Sequence, residues 1–315
     1  MSEFLIMLRN VLLFVALAIP GYILVKTKLM GEKSSGVLSK LLTYVGMPFL
    51  ILSSTLNVSF TGEATLKIVC VGIAGVVFTI VAFFLSALLV KKQEEEKKKG
   101  MMRFCMVFSN NGFLGIPLAK AVFGDSPVVT YLIILNIITN ILMFTLGIYL
   151  ISGDKRLISI KKAVLNPVLI AFIVGIILNL IKVTQYIPEV ATFAGHFSNI
   201  VTPISMTILG MKMAEINMQS LFVKGSVYYT SAIKLVLVPA LAISMAFVLR
   251  LFMTIDNEII LGFFIALAMP TAGLASAFSD AFNGDTENAV SFTLGTTVLS
   301  VITIPSLYAL LCFIL

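Results

Sequence analysis

Phe108-Ser109-Asn110-Asn111-Gly112-Phe113-Leu114-Gly115-Ile116-Pro117 lies in the middle of one apolar run. Ala268-Met269-Pro270-Thr271-Ala272-Gly273-Leu274-Ala275-Ser276 interrupts a second. Proline removes a backbone donor and clashes with the preceding turn, and glycine loosens a helix. Each run therefore predicts a discontinuous helix. Broken backbone at membrane depth is tolerated only where it is buried in protein or lines a cavity. Freed N–H groups favour an anion and freed carbonyls a cation. Buried amides such as Asn110 and Asn111 need a partner, which can be a ligand or a neighbouring helix.

Around these two stretches, the chain has 315 residues, 59% hydrophobic and 12% charged, with mean hydropathy +1.08. An ordinary soluble domain carries about twice that charge. A water-soluble enzyme is excluded, and so is a nucleic-acid binder, because the lysines and arginines sit in short loops rather than on one basic face. Ten apolar segments have bilayer-spanning length: 4–25, 37–56, 64–90, 101–122, 127–151, 163–182, 195–214, 222–250, 258–282 and 286–314. With the N-terminus outside, sixteen Lys and Arg fall on the cytoplasmic side and four outside. This places both termini outside a cell membrane. The run Lys91 to Lys99 has an acidic centre, so it reads as a solvated helical extension with Glu94–Lys98 and Glu95–Lys99 pairs. Cys70, Cys105 and Cys312 share no metal-ligand spacing. No phosphate-binding glycine loop is present, and the first apolar run reads as a span rather than a cleaved leader.

The halves repeat. A shift of 160 residues sets Phe123-Gly124-Asp125 on Asn283-Gly284-Asp285, and Asn110 and Asn111 on Pro270 and Thr271. The same shift sets Lys120 on Asp280, and Asn136 and Asn140 on Thr296 and Ser300. A shift of 155 sets Pro48 on Pro203. Five spans per half is odd, so the second copy enters the membrane inverted, as in many secondary transporters. The expected fold is an all-α membrane protein of two inverted five-helix repeats, 1–152 and 163–315, joined by a cytoplasmic linker at 153–162. Its crossover helices, the fourth and ninth spans, are broken.

Ionisable groups inside spans mark function or the interface. Asp280, about two turns past the ninth-span break, is a candidate for carrying a coupling proton. Lys120 and Lys234 are secondary candidates. Asn136 and Asn140 share one helix face, as do Thr296 and Ser300. His196 reads as a bystander.

The segment Ser109 to Pro117, followed by Phe123-Gly124-Asp125, resembles the auxin efflux carrier family, and Pro270 to Asp285 with Thr303-Ile304-Pro305 is similar too. That family includes plant PIN-FORMED carriers and bacterial members described as malonate or other organic-acid permeases. The resemblance covers the chain and implies an architecture shared with sodium/proton antiporters and bile acid symporters. Helices 1, 2, 6 and 7 would form a scaffold, with 3–5 and 8–10 as the transport domain. Pro117 and Pro270 would sit at the crossover and keep the two helices open. The long central loop of plant members is absent, which points to a bacterial-type member.

The expected function is alternating-access transport of a small organic anion, a carboxylate above others. Asn110, Asn111, Gly112, Pro117, Pro270, Thr271, Asn136 and Asn140 would bind it, with Pro48, Thr296 and Ser300 in support. A carrier of a bulkier bile-acid-like amphipath is one rival; a non-transporting receptor or scaffold is another. No enzyme activity, metal or cofactor is expected, and H+ or Na+ as coupling ion is left open. The partners are the anion and the bilayer, with a homodimer as an option.

Overall fold

The computed structural model describes residues 3–31, 34–56, 58, 62–93, 95–124, 126–158, 165–215, 224–250 and 255–315. These residues are helical almost throughout. In chain order the helices are α1 (Glu3–Lys26), α2 (Ser34–Thr55), α3 (Gly62–Leu89), α4 (Glu96–Val107), α5 (Asn111–Phe123), α6 (Pro127–Ser152) and α7 (Pro167–Leu180). There follow α8 (Glu189–Asn199), α9 (Val201–Glu215), α10 (225–250), α11 (Asn257–Ala268), α12 (Ala275–Ala281) and α13 (Thr286–Ile314). Asp125, Glu94 and much of the linker lie outside the described residues.

Among the described residues, six helices are long and apolar enough to cross a bilayer: α1, α2, α3, α6, the first part of α10, and α13. Ten were expected, and the difference lies in segments whose helices are shorter than the apolar runs they come from. The fourth and ninth spans are each cut in two, so α5 and α11 are short apolar helices. The 14 residues of α7 reach only about 21 Å at 1.5 Å per residue. Ile200 separates α8 from α9.

Helix starts follow the sequence chemistry. Ser126 and Asn166 each accept a hydrogen bond from the N–H two residues on, and Pro127 and Pro167 occupy the first helical position, where proline loses nothing. Asp285 caps α13 through Asn288 N at 3.0 Å. Wide π turns at Leu42–Gly46, Asn111–Gly115 and Ile233–Leu237 each precede a proline by two residues: Pro48, Pro117 and Pro239. A proline cannot donate to the carbonyl four residues back and crowds it; the widened turn absorbs the misfit and the helix continues.

Two packing groups surround the centre, joined where α1 packs on α13. In one, α1 lies along α9, and α2 packs on α7 and α8. Asn179 Nδ2 donates to the carbonyls of Thr55, Leu56 and Val58, closing the end of α2. In the other, α3 and α11 pack on α6, α10 packs on α11 and α13, and α4 packs on α3 and α13. Phe104, Phe108, Phe264 and Phe292 are fully buried between these helices, whereas Leu12, Ile19, Val77, Phe84 and Phe313 are exposed. An apolar outer belt of this kind is what lipid requires.

The charged run differs from expectation. α4 starts only at Glu96, so Lys99 pairs with Glu96 at 3.1 Å rather than with Glu95, and Lys97 reaches Asn283 Oδ1 at 3.2 Å.

Candidate functional site

The two broken stretches meet. Phe108 to Asn110 runs antiparallel to Pro270 to Ala272, with Ser109 opposite Thr271. Asn110 N donates to Pro270 O at 2.8 Å, and Ala272 N donates to Phe108 O at 3.0 Å. Each break thus satisfies backbone groups that the other one frees. Thr271 is held further. Its N–H donates to Thr296 Oγ1 at 3.2 Å, and its hydroxyl donates to Cys105 O at 3.0 Å.

This pairing corrects the expected positions. The fourth-span break lies at Phe108–Asn110, and Pro117 sits inside the apolar helix beyond it, behind the π turn. Pro270 does lie in the ninth-span break. The N–H groups of Asn110 and Ala272 are spent on the crossover rather than left for a ligand. Beyond the break, Asn110 O accepts from Leu114 and Gly115, so the N–H groups ahead of those two have no intrahelical acceptor.

A cavity of about 590 Å3 opens beside the crossover, within the usual range of small-molecule sites. Its polar lining is Asn110, Asn136, Asn140, Asn166, Thr43 and Thr139, joined by Ser109 and the backbone of Gly112. The rest is apolar or aromatic, notably Tyr44, Met47, Phe108, Phe113, Met143 and Phe144. It extends to the linker end of α7 at Leu165. Among the described residues, no Asp, Glu, Lys or Arg lines it.

The amides are arranged along one wall. Asn140 Nδ2 donates to Asn136 O at 2.7 Å and to Asn136 Oδ1 at 3.1 Å. Asn136 Nδ2 is buried and has no hydrogen-bond partner among the described residues. A Cβ at Gly112 would come within 2.6 Å of Met47 Cε, so the flexible methionine would have to move, and within 3.5 Å of Asn136 Oδ1. Asn111, 1% exposed, turns away from the cavity, and neither of its amide atoms has a partner among the described residues. Of the adjacent pair, Asn110 is the one that faces the cavity.

Lys234 is 0% exposed and donates to Ser109 Oγ at 2.5 Å. It lies one layer behind the cavity wall, where α4 ends, and forms no salt bridge among the described residues. The other candidates are scattered. Thr296 backs the crossover, and Ser300 is buried and bonded to Thr297 O at 2.7 Å. Pro48 is half-buried in α2 beside the cavity residue Met47. Lys120 is half-buried near the far end of α5. Asp280 is exposed at the end of α12 and accepts from Thr286 Oγ1 at 2.6 Å. It does not line the cavity. His196 is exposed.

Sequence reasoning missed Ser109, Thr43, Tyr44, Met47, Thr139 and Asn166. Asn166-Pro167 carried a usable signal, an N-cap amide at a helix start. Nothing local marks the residues of α2 as cavity-facing.

A family model described as membrane transport protein matches residues 6–160 and 155–308. A relative from Methanothermobacter thermautotrophicus, named an uncharacterized transporter, is 26% identical over 305 residues, covering 94% of this chain and 96% of its own. The family match takes in both broken helices and both halves of the chain, so the protein belongs to the membrane transport protein family, the auxin efflux carriers that its crossover motif resembles.

Proposed function

We propose that the protein is a secondary carrier of an organic anion, a carboxylate, bound beside the crossover and moved by alternating access. One observation carries this reading: a cavity at the meeting of two broken helices, lined among the described residues by four asparagines and no carboxylate, with the buried amino group of Lys234 bonded into its wall. In a low-dielectric setting a buried cation attracts an anion far more strongly than in water. The amides and the head of α5 supply hydrogen-bond donors without adding negative charge. The mostly apolar lining favours an anion with an apolar body over a very small one.

The ten-span inverted repeat is part of the same reading. The packing of α1 on α9 and of α7 on α2 is related by the five-span shift, as is that of α3 on α6 and α10 on α13. Spans 1, 2, 6 and 7 would serve as scaffold, with spans 3–5 and 8–10 moving against them. Both termini lie outside the cell membrane, so the cavity opens to the cytoplasm. Cysteine at Gln93 is then labelled by an impermeant maleimide only from the cytoplasm, and cysteine at Ser126 only from outside. The reverse pattern would exchange the two faces.

Uptake into proteoliposomes tests the function. Labelled phenylacetate should accumulate in an exchange assay, and unlabelled phenylacetate should compete at least about tenfold better than acetate, because its ring buries apolar surface. Absence of carboxylate flux from well-folded protein, across a panel of aromatic and aliphatic acids, would leave the receptor or scaffold reading in its place.

A further inference from the structure

A second, smaller void of about 40 Å3 lies on the other side of the crossover. It shares Asn110, Phe113 and Gly273 with the large cavity, so these residues form the partition between the two. Lys212 lines the small void. Among the described residues that line either space, it is the one Lys, Arg, Asp or Glu.

Lys212 comes from α9, in the packing group of α1, α2, α7 and α8, which touches the crossover at the head of α5. Its ammonium donates to Ser276 Oγ at 3.2 Å and approaches Gly273 O at 3.5 Å. The amide of Asn110 reaches the same glycine from the cavity side, 3.4 Å from where a Gly273 Cβ would stand. An ammonium has three donors, and the two engaged here meet neutral oxygens. Glu215 on its own helix and Asp280 on α12 are acids that act on it through space. A charge whose direct hydrogen-bond partners are neutral oxygens keeps the part of its field that those two acids do not offset.

We propose that Lys212 is a second charge, beside that of Lys234, that selects a carboxylate at the crossover, acting on an anion at Asn110 from behind the Phe113–Gly273 partition. This rests on the reading of the large cavity as an organic-anion site. Because Lys212 and Asn110 belong to different packing groups, the selection is strongest in the conformation that brings the two groups together. A relative motion of those groups carries the charge away from the anion.

Thermal unfolding of purified protein, titrated with phenylacetate and with its neutral isostere phenylacetamide, tests this. Wild type should bind the acid more tightly than the amide. Lys212→Gln should lower that ratio about tenfold or more, the worth of one hydrogen bond to a charged group, and Lys212→Arg should keep most of it. Lys212→Met, similar in length, provides a second charge-free chain should the Gln variant not purify folded. A structural role would change the melting temperature of the unliganded protein and leave the ratio alone. An unchanged ratio in the charge-free variants overturns the role of Lys212 while the anion site stands. Equal binding of acid and amide by wild type overturns the anion reading, and this proposal with it.

Discussion

Lys234→Met should cut anion uptake at least a hundredfold and leave the protein as stable as wild type or more so. The side chain is fully buried, and its hydrogen-bond partner among the described residues is one hydroxyl, that of Ser109. An ammonium at mid-membrane costs about 2.5–3.5 kcal/mol on insertion scales. It regains part of this by facing the carbonyl end of α4, a cation at a helix C-terminus being worth about 0.5–2 kcal/mol in partly buried geometries. The two ranges leave the charge neutral to costly for folding. Methionine has a similar unbranched stem and fills the same space without a charge. Removing an unpaired buried charge of this kind therefore costs little, unlike breaking one partner out of an ion pair. For the transported anion the balance is reversed, because the nearby positive charge offsets its desolvation inside the cavity. Uptake by proteoliposomes and a melting curve in the same detergent decide the matter. Uptake at wild-type rates would reduce Lys234 to a shield for the helix ends, and a chain that does not fold would make the charge a structural requirement.

The parts of this fold that could be read from sequence are those written in local chemistry. Glycine, proline and asparagine inside an apolar run announce a break, and both broken helices appear where such residues cluster. The exact break was not legible. Pro117 is the loudest local signal, yet the chain absorbs it in a π turn and opens at Ser109 instead, because Ser109 is where Thr271 can supply a pairing partner 162 residues away in sequence. Asn110 and Asn111 are equivalent in sequence; helix rotation turns one to the cavity and buries the other. Lys212 falls near a span end and so reads from sequence as one of the sixteen cytoplasmic charges, yet its long stem reaches inward to Ser276 and Gly273 at the crossover. Asp280 was weighed as a buried proton carrier or a solvated helix end. Its exposure and its bond to Thr286 follow from α12 ending one residue later, which no periodicity reveals.

Gly210→Leu should prevent the protein from accumulating in folded form. α1 and α9 touch backbone to backbone at two glycines. A Cβ on Gly210 would stand 1.8 Å from Ala18 O, and one on Gly21 would stand 1.9 Å from Thr207 O. The obstacle in each case is a main-chain carbonyl, which cannot rotate away as a side chain can. Without a hydrophobic force between helices in lipid, association depends on close packing, and small residues are what permit it. The bare Cα also brings its hydrogens within reach of the facing carbonyl, a weak but recurring contact at helix crossings. Even alanine must drive the two helices apart by more than an ångström along their shared length. Overpacking costs about 1–3 kcal/mol where side chains can yield, so a clash with backbone belongs to the severe class above about 4 kcal/mol. Gly195→Ala is the matched control. It lies in α8 with nothing within 4 Å of the added methyl, and a gain of up to about 1 kcal/mol in helix propensity is expected there. Yield and melting temperature from fluorescence-detected gel filtration separate the two variants. A Gly210→Leu chain as stable as wild type would mean that α1 and α9 do not depend on this contact. The same crossing also sets the reach of Lys212, two residues further along α9. Gly210→Ala, if it folds at all, should therefore weaken carboxylate selection as well as stability.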